Sequence, residues 1–125
     1  MSVSVDVTQL EAQLEQFGRT PYLVTTGDDQ RPHTTHVVVA LHSGSLRCGV
    51  GRRTAANARD RDLVCLLWAP HESGGYSLIV DGRAVVGDDA DGPLLSIEPT
   101  KAILHRNAAG EGYAADCVRL DGSRP

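Results

Sequence analysis

Gly49-Val50-Gly51-Arg52-Arg53-Thr54-Ala55-Ala56-Asn57-Ala58-Arg59 carries the chain from the end of an extended run into the start of a helix. Residues 52–62 are rich in Ala, Arg and Asn with no β-branched residue after Thr54, a composition that favours a short helix. Gly49-Val50-Gly51 opens like a dinucleotide fingerprint, and Glu72 lies about twenty residues downstream, where a ribose-binding acid would stand. Thr54, however, occupies the third glycine position, and the chain holds a single βαβ-like unit. A doubly wound parallel sheet is therefore rejected. The same residues suit an anion: amides at the helix N-terminus, the guanidinium forks of Arg52 and Arg53 and the Thr54 hydroxyl could converge on one phosphate, with Asn57 one turn further on. In a plainer reading, Thr54 only caps the helix and both arginines lie in solvent.

Outward from that turn the texture is β. Tyr22–Thr26, the turn Gly27–Gln30 and His33–Leu41 read as a hairpin; His42-Ser43-Gly44 then leads into Leu46–Val50, predicting a meander of three antiparallel strands. Beyond the helix, Leu63–Trp68 reads as a strand and Ala69–Gly75 as a mobile loop. Tyr76–Val86 is a long strand in which Gly82 marks a bulge or barrel bend. Asp88–Pro93 is an acidic turn, and Leu94–Leu104 is extended, with Pro99 marking an edge or a break. At the other end, Val7, Leu10, Leu14 and Phe17 repeat at helical spacing behind a Thr8–Glu11 capping box, with Gly18 as the stop. Six strands joined mostly by tight turns, with one helical crossover, predict a small closed or partly closed β-barrel. Residues 1–107 form its domain, and 108–125 are a small, polar tail, loosely ordered or packed on the barrel.

Composition narrows the function. A chain of 125 residues, 41% hydrophobic, can bury a core without disulfide or metal staples. Aromatics make up only 4%, so Val, Leu, Ile and Ala must build that core and a base-stacking platform is excluded. The net charge of −4 lacks the basic footprint of a nucleic-acid binder. Cys48, Cys65 and Cys117 form no CxxC pair, which points to a reduced, cytoplasmic chain; Cys48 and Cys65 read as small buried hydrophobes on neighbouring strands. The apolar run Leu63–Ala69 is far short of the ~20 residues of a bilayer span, so no membrane partner is expected. His33 and His36 are three residues apart on a strand, hence on opposite faces, and no metal is expected there. No GxSxG elbow or nucleophile–base spacing supports hydrolysis. Trp68 reads as a core or interface residue, and His105 as packing or substrate-facing.

In order and spacing, Pro21–Thr26, Arg31–Thr35, the Arg52–Asp62 segment, Leu63–Pro70 and Tyr76–Ala84 resemble the pyridoxamine 5′-phosphate oxidase-like superfamily, which includes deazaflavin-dependent reductases. The resemblance covers nearly the whole chain. It implies a mainly β, six-stranded split barrel of the FMN-binding type, with an N-terminal helix and a short crossover helix. It also implies a homodimer with the flavin in a groove between subunits, the phosphate on the basic turn and the ring beside Thr34, Thr35, His36 and Val37. The family's Arg-Lys phosphate pair falls on Arg53 and Thr54, so the lysine is replaced by a hydroxyl that Arg52, Asn57 or Arg59 must offset. The vitamin oxidase pattern is otherwise absent, and no catalytic side chain is assigned. The resemblance thus implies an FMN- or deazaflavin-dependent oxidoreductase acting on a small organic substrate, or alternatively a non-enzymatic flavin, deazaflavin or haem carrier using the same groove.

Overall fold

The computed structural model describes residues 2–107. Eight strands and two helices follow one another as β1 (Ser2–Val5), a 3-10 turn (Val7–Gln9), α1 (Leu10–Phe17), β2 (Tyr22–Thr26), β3 (Pro32–His36), β4 (Ala40–His42), β5 (Ser45–Gly49), α2 (Arg52–Asp60), β6 (Leu63–Trp68), β7 (Ser77–Asp89) and β8 (Gly92–His105). The sheet runs β3-β2-β6-β7-β8-β5-β4, every neighbouring pair antiparallel, and β1 also pairs with β8.

This order closes the barrel. β3 and β4 stand at opposite ends of the sheet, yet only Val37, Val38 and Val39 separate them in the chain. Laid flat, seven strands at ~4.8 Å spacing would put those ends roughly 29 Å apart. Four residue steps reach at most about 14 Å. The sheet must therefore curl, and Val37 and Val39 turn into the core as it does so. Here the expected three-strand meander is corrected: the β-branched run His33–Leu41 is not one strand but two, belonging to different ends of the sheet. Cys48 and Cys65 are likewise not on neighbouring strands, because β7 and β8 lie between β5 and β6. The eighth strand, β1, is short and largely exposed, so no hydrophobic alternation betrays it.

Period-two alternation sorts the side chains. Leu23, Leu66, Val80 and Ala102 stand directly across from one another on β2, β6, β7 and β8 and are sealed in the barrel. The next row, Tyr22, Leu67, Ile79 and Ile103, faces outward and is only partly covered. Leu10 and Leu14 of α1 join the inner core, and Trp68 Nε1 donates to Gly18 O at 2.9 Å, tying the helix end to β6. Gly18, at φ +90, stops the helix as expected. The expected Thr8–Glu11 capping box is replaced by Asp6, whose carboxylate accepts from both the backbone N and the hydroxyl of Thr8.

β7 and β8 slip register between Asp81 and Gly82: Asp81 faces Lys101, Gly82 faces Pro99, and Thr100 is left over, its hydroxyl donating to Asp81 O. This is the bulge expected at Gly82. It also separates the stretch of β8 that pairs with β5 from the stretch that pairs with β1, and Pro99 lies between the two. A Cβ at Gly82 would sit 2.6 Å from Ile97 Cγ2 and 2.7 Å from Glu98 O, whereas one at Gly87 on the same strand would meet nothing within 4 Å. Gly82→Ala is expected to destabilise the fold by about 1–3 kcal/mol through overpacking, with Gly87→Ala within about 0.5 kcal/mol of the parent; urea-unfolding midpoints of the two variants check this.

Candidate functional site

α2 packs on β7, β2 and β8. Gly51 is its N-cap and contributes no side chain, and the first helical bond runs from Ala55 N to Gly51 O. The amides of Arg52, Arg53 and Thr54 thus have no acceptor within the helix. Gly49 and Gly51 leave open space beside them, where an added Cβ would find no atom within 4 Å. Arg52 and Arg53 are exposed, and among the described residues neither forms an ion pair. Positive charge, free amides and open space make this terminus fit a phosphate.

Two clefts adjoin the helix. One, of about 200 Å³, lies between Arg53 and Asn57 on α2 and the turn that carries Asp28, Arg31 and His33. The other, of about 370 Å³, lies between Arg52, Arg53 and Arg61. Asp28 lines both, joined by Asp29 in the first and Asp60 in the second, so each cleft sets carboxylates beside its arginines. Arg61 is committed to the structure, its Nε donating to Thr26 O at 2.7 Å. Asn57 is buried and donates from Nδ2 to Thr25 Oγ1 at 3.1 Å, pinning α2 to β2. Thr54 is only 2% exposed and lies on the core side of the helix with Ala55 and Ala58, so it neither caps α2 nor lines a cleft. Arg52, Arg53 and Asn57 therefore come together, and Thr54 lies beneath them.

The strand residues divide by face. His33, Thr35 and Val37 point inward and Thr34 and His36 outward, and of β3 only Pro32 and His33 line the Arg53 cleft. Val37 is buried in the core. Outside, the His36 ring stacks on Tyr22 at 4.9 Å and 27°, and its Nε2 lies 2.8 Å from Thr20 O. Sequence reasoning missed Tyr22, which pairs directly with His36 across the ladder.

The backbone of β3 is more informative than its side chains. Gly27 N donates to Arg31 O, Val37 N to Pro21 O and Val39 N to Arg19 O, so Arg31, Val37 and Val39 all bond across to the β2 side. In an antiparallel ladder the intervening residues turn their N–H and C=O groups the other way. Among the described residues β3 is an end strand, so Thr34 and His36 present these backbone groups at an open edge. That edge is a row of alternating donors and acceptors running toward the Arg53 cleft.

Neither described thiol is poised for chemistry. Burial pushes Cys48 from an ordinary 9.0 up to about 11. Cys65 rises likewise to about 11, through burial first and then the neighbouring Asp81 carboxylate. Among the described residues no group of His, Cys, Asp and Glu is arranged to hold a metal. No helix among them is long and apolar enough to cross a membrane.

No family model matches the chain. An uncharacterized protein of Mycobacterium bovis is 37% identical over 133 residues, covering 91% of this chain and 93% of its own, and one from Mycobacterium tuberculosis matches to the same extent. Among solved structures, a putative pyridoxamine 5′-phosphate oxidase from Listeria innocua superposes with a TM-score of 0.65 at 19% identity, covering 81% of this chain and 98% of that one. The haem storage protein HutZ of Vibrio cholerae gives 0.63 at 13% identity, with coverage of 78% and 94%. An FAD-binding protein of Mycobacterium smegmatis gives 0.58 at 18% identity, with coverage of 85% and 100%. The chain belongs to the family of the two mycobacterial proteins and has the split-barrel fold of the pyridoxamine 5′-phosphate oxidase-like proteins.

Proposed function

We propose that this protein is a flavin- or deazaflavin-dependent oxidoreductase, with FMN as its first cofactor and a small organic molecule as its substrate. The observation that carries this reading is the open backbone edge of β3 leading to the unpaired arginines at the start of α2. A flat ring with amide-like donors and acceptors along one side matches such an edge, and an attached phosphate matches the arginines. Bound there, the cofactor supplies hydride transfer, and the protein supplies binding and orientation. Arg53, assisted by Arg52 and the free amides of α2, takes the phosphate. Thr34 and His36 fix the ring through their backbone groups, with Thr35 and Val37 holding the strand against β2. The FAD-binding likeness and a further structural likeness to an F420 reductase support the cofactor class.

The outward row Tyr22, Leu67, Ile79 and Ile103 is apolar across four strands and begins beside the open edge. A second copy seated on it would exclude water from that row and wall the groove along β3. The haem storage likeness favours one other reading, a carrier without turnover. Absorbance spectra of the loaded protein before and after reductant and then acceptor separate the two: a carrier keeps its reduced spectrum when acceptor is added.

Arg53→Ala is expected to weaken FMN binding roughly ten- to a hundred-fold while leaving riboflavin, which lacks the phosphate, unchanged; fluorescence titration of both ligands measures this, and equal FMN affinity would remove Arg53 from the site. Light scattering at micromolar concentration should give twice the chain mass, with Leu67→Glu reducing it toward one. A single-chain mass for the parent protein would sink the two-subunit groove.

The raised thiols yield a third expectation. Their folded values of about 11 exceed the ordinary 9.0, so the folded state holds the proton more tightly. Their contribution to stability is complete below pH 9 and is lost as pH rises toward 11. At pH 7, iodoacetamide should label Cys48 and Cys65 far more slowly in the native than in the urea-unfolded protein, and cofactor reoxidation should survive the treatment. Loss of reoxidation with binding intact would show a thiol in the chemistry.

A further inference from the structure

We propose that Asn57 selects the ligand of the Arg53 cleft by accepting a hydroxyl beside the phosphate, so that the site takes a polyol phosphate in preference to a plain phosphate ester; this rests on the placement of the phosphate at Arg53 proposed above. Asn57 is only 7% exposed, yet it lines both clefts beside α2. Its Nδ2 is committed to Thr25 Oγ1 at 3.1 Å, and that bond orients the amide. Oδ1 is the atom left over. Among the described residues it receives no hydrogen bond, and it is not sealed from solvent, so it opens into the clefts. An amide oxygen held this way in a largely buried side chain is unfavourable until a donor reaches it.

The space in front of it is kept clear by a glycine. A Cβ at Gly27 would stand 3.9 Å from Asn57 Oδ1 and 2.9 Å from Asp29 Oδ1, so a side chain at position 27 would fill the cleft. Around that space the wall is made of acceptors. Asp28 and Asp29 line it, and Asp29 Oδ1 already takes the Arg31 amide at 3.0 Å.

Phosphate oxygens are acceptors too, so Asn57 Oδ1 and the two carboxylates turn the anion toward Arg53 and the free amides of α2. What the acceptor wall receives is an O–H. Arg31 and Arg53 offset Asp28 and Asp29 on the same lining, so a neutral hydroxyl suits the wall better than a ligand ammonium, which must also shed its hydration. The cleft's volume of about 200 Å³ lies below the ~300–1,000 Å³ that enclose whole small ligands. It therefore takes the hydroxylated phosphate chain and leaves a ring outside, along β3.

The test compares sn-glycerol 3-phosphate with n-propyl phosphate, which differ in hydroxyls and not in charge at about pH 8, well above the second phosphate pKa of ~6. Each is titrated into the full chain and followed in ¹H–¹⁵N spectra. Glycerol 3-phosphate should bind about three- to tenfold more tightly and shift the Asn57 side-chain amide pair. Asn57→Leu should bring the two ligands to equal affinity, whereas Arg53→Ala should weaken both alike. FMN should likewise outbind an analogue whose side chain is a phosphopentyl group. Equal affinity of the two phosphates for the parent protein, no saturable binding of either, or a preference that survives Asn57→Leu would each overturn the proposal. A preference for glycerol 3-phosphate without any binding of FMN would uphold the role of Asn57 and sink the flavin reading; FMN bound no more tightly than its phosphopentyl analogue would uphold the flavin reading and sink the role of Asn57. The comparison of the two phosphates needs no variant, so it decides even if Asn57→Leu does not fold.

Discussion

The covalent continuity of Pro32–His42 is the constraint on which the rest of the structure depends. One stretch of chain supplies both ends of the sheet, so the sheet cannot lie open, and closure sets which face of every strand is inside. The sealed row Leu23, Leu66, Val80 and Ala102 follows from it, as does the inward turn of Val37 and Val39, with Val38 between them left 68% exposed. Each large aliphatic side chain buried this way contributes about 1.5–3 kcal/mol. Slipping β3 by one residue would exchange Val37 and Val39 for Val38 and His36, placing an imidazole in an apolar interior; register is fixed by that cost.

Closure is incomplete by design of the chain path. The link between β3 and β4 is made by covalent bonds, not by a ladder, so among the described residues β3 keeps an unpaired edge. An exposed strand edge ordinarily invites pairing with another chain. Here it is short, and Pro32 removes one donor at its start. What remains is the edge on which the proposed flavin ring would lie. The feature that is a liability for solubility is therefore the one that gives the proposed site its donors and acceptors.

Much of this was legible in the sequence where one local rule decides. Tyr22–Thr26 and Leu63–Trp68 are strands with the boundaries read from their β-branched and aliphatic runs, and Gly82 marks the bulge because no side chain fits there. Where partners are distant, local rules fail. Nothing in His33–Leu41 says that its halves bond to different ends of the sheet, and Ser2–Val5 has no buried side to read. The site divides the same way. The helix start and its arginines carry a local signature, but the burial of Thr54 depends on which side of α2 meets β2.

The burial of Thr54 bears directly on how the proposed phosphate is held. In the resemblance drawn from the sequence, a lysine stands at that position. An ammonium there would have to leave the core side of the helix or lose its hydration among Ala55, Ala58 and the barrel. Threonine is small enough to stay, and its hydroxyl is less costly to bury than a charge. With no cation at position 54, the positive charge of that pair rests on the retained Arg53 alone, which is about 100° around the helix. That rotation turns it from the barrel toward Asp28 and His33, the residues that share its cleft. The cleft has a cation on one wall and a carboxylate on the other, and a phosphate held there in the proposed site would lie beside Asp28. In the proposed site, phosphate binding would therefore rest on Arg53, opposed by Asp28, with the free amides of α2 as the part that no side-chain substitution removes.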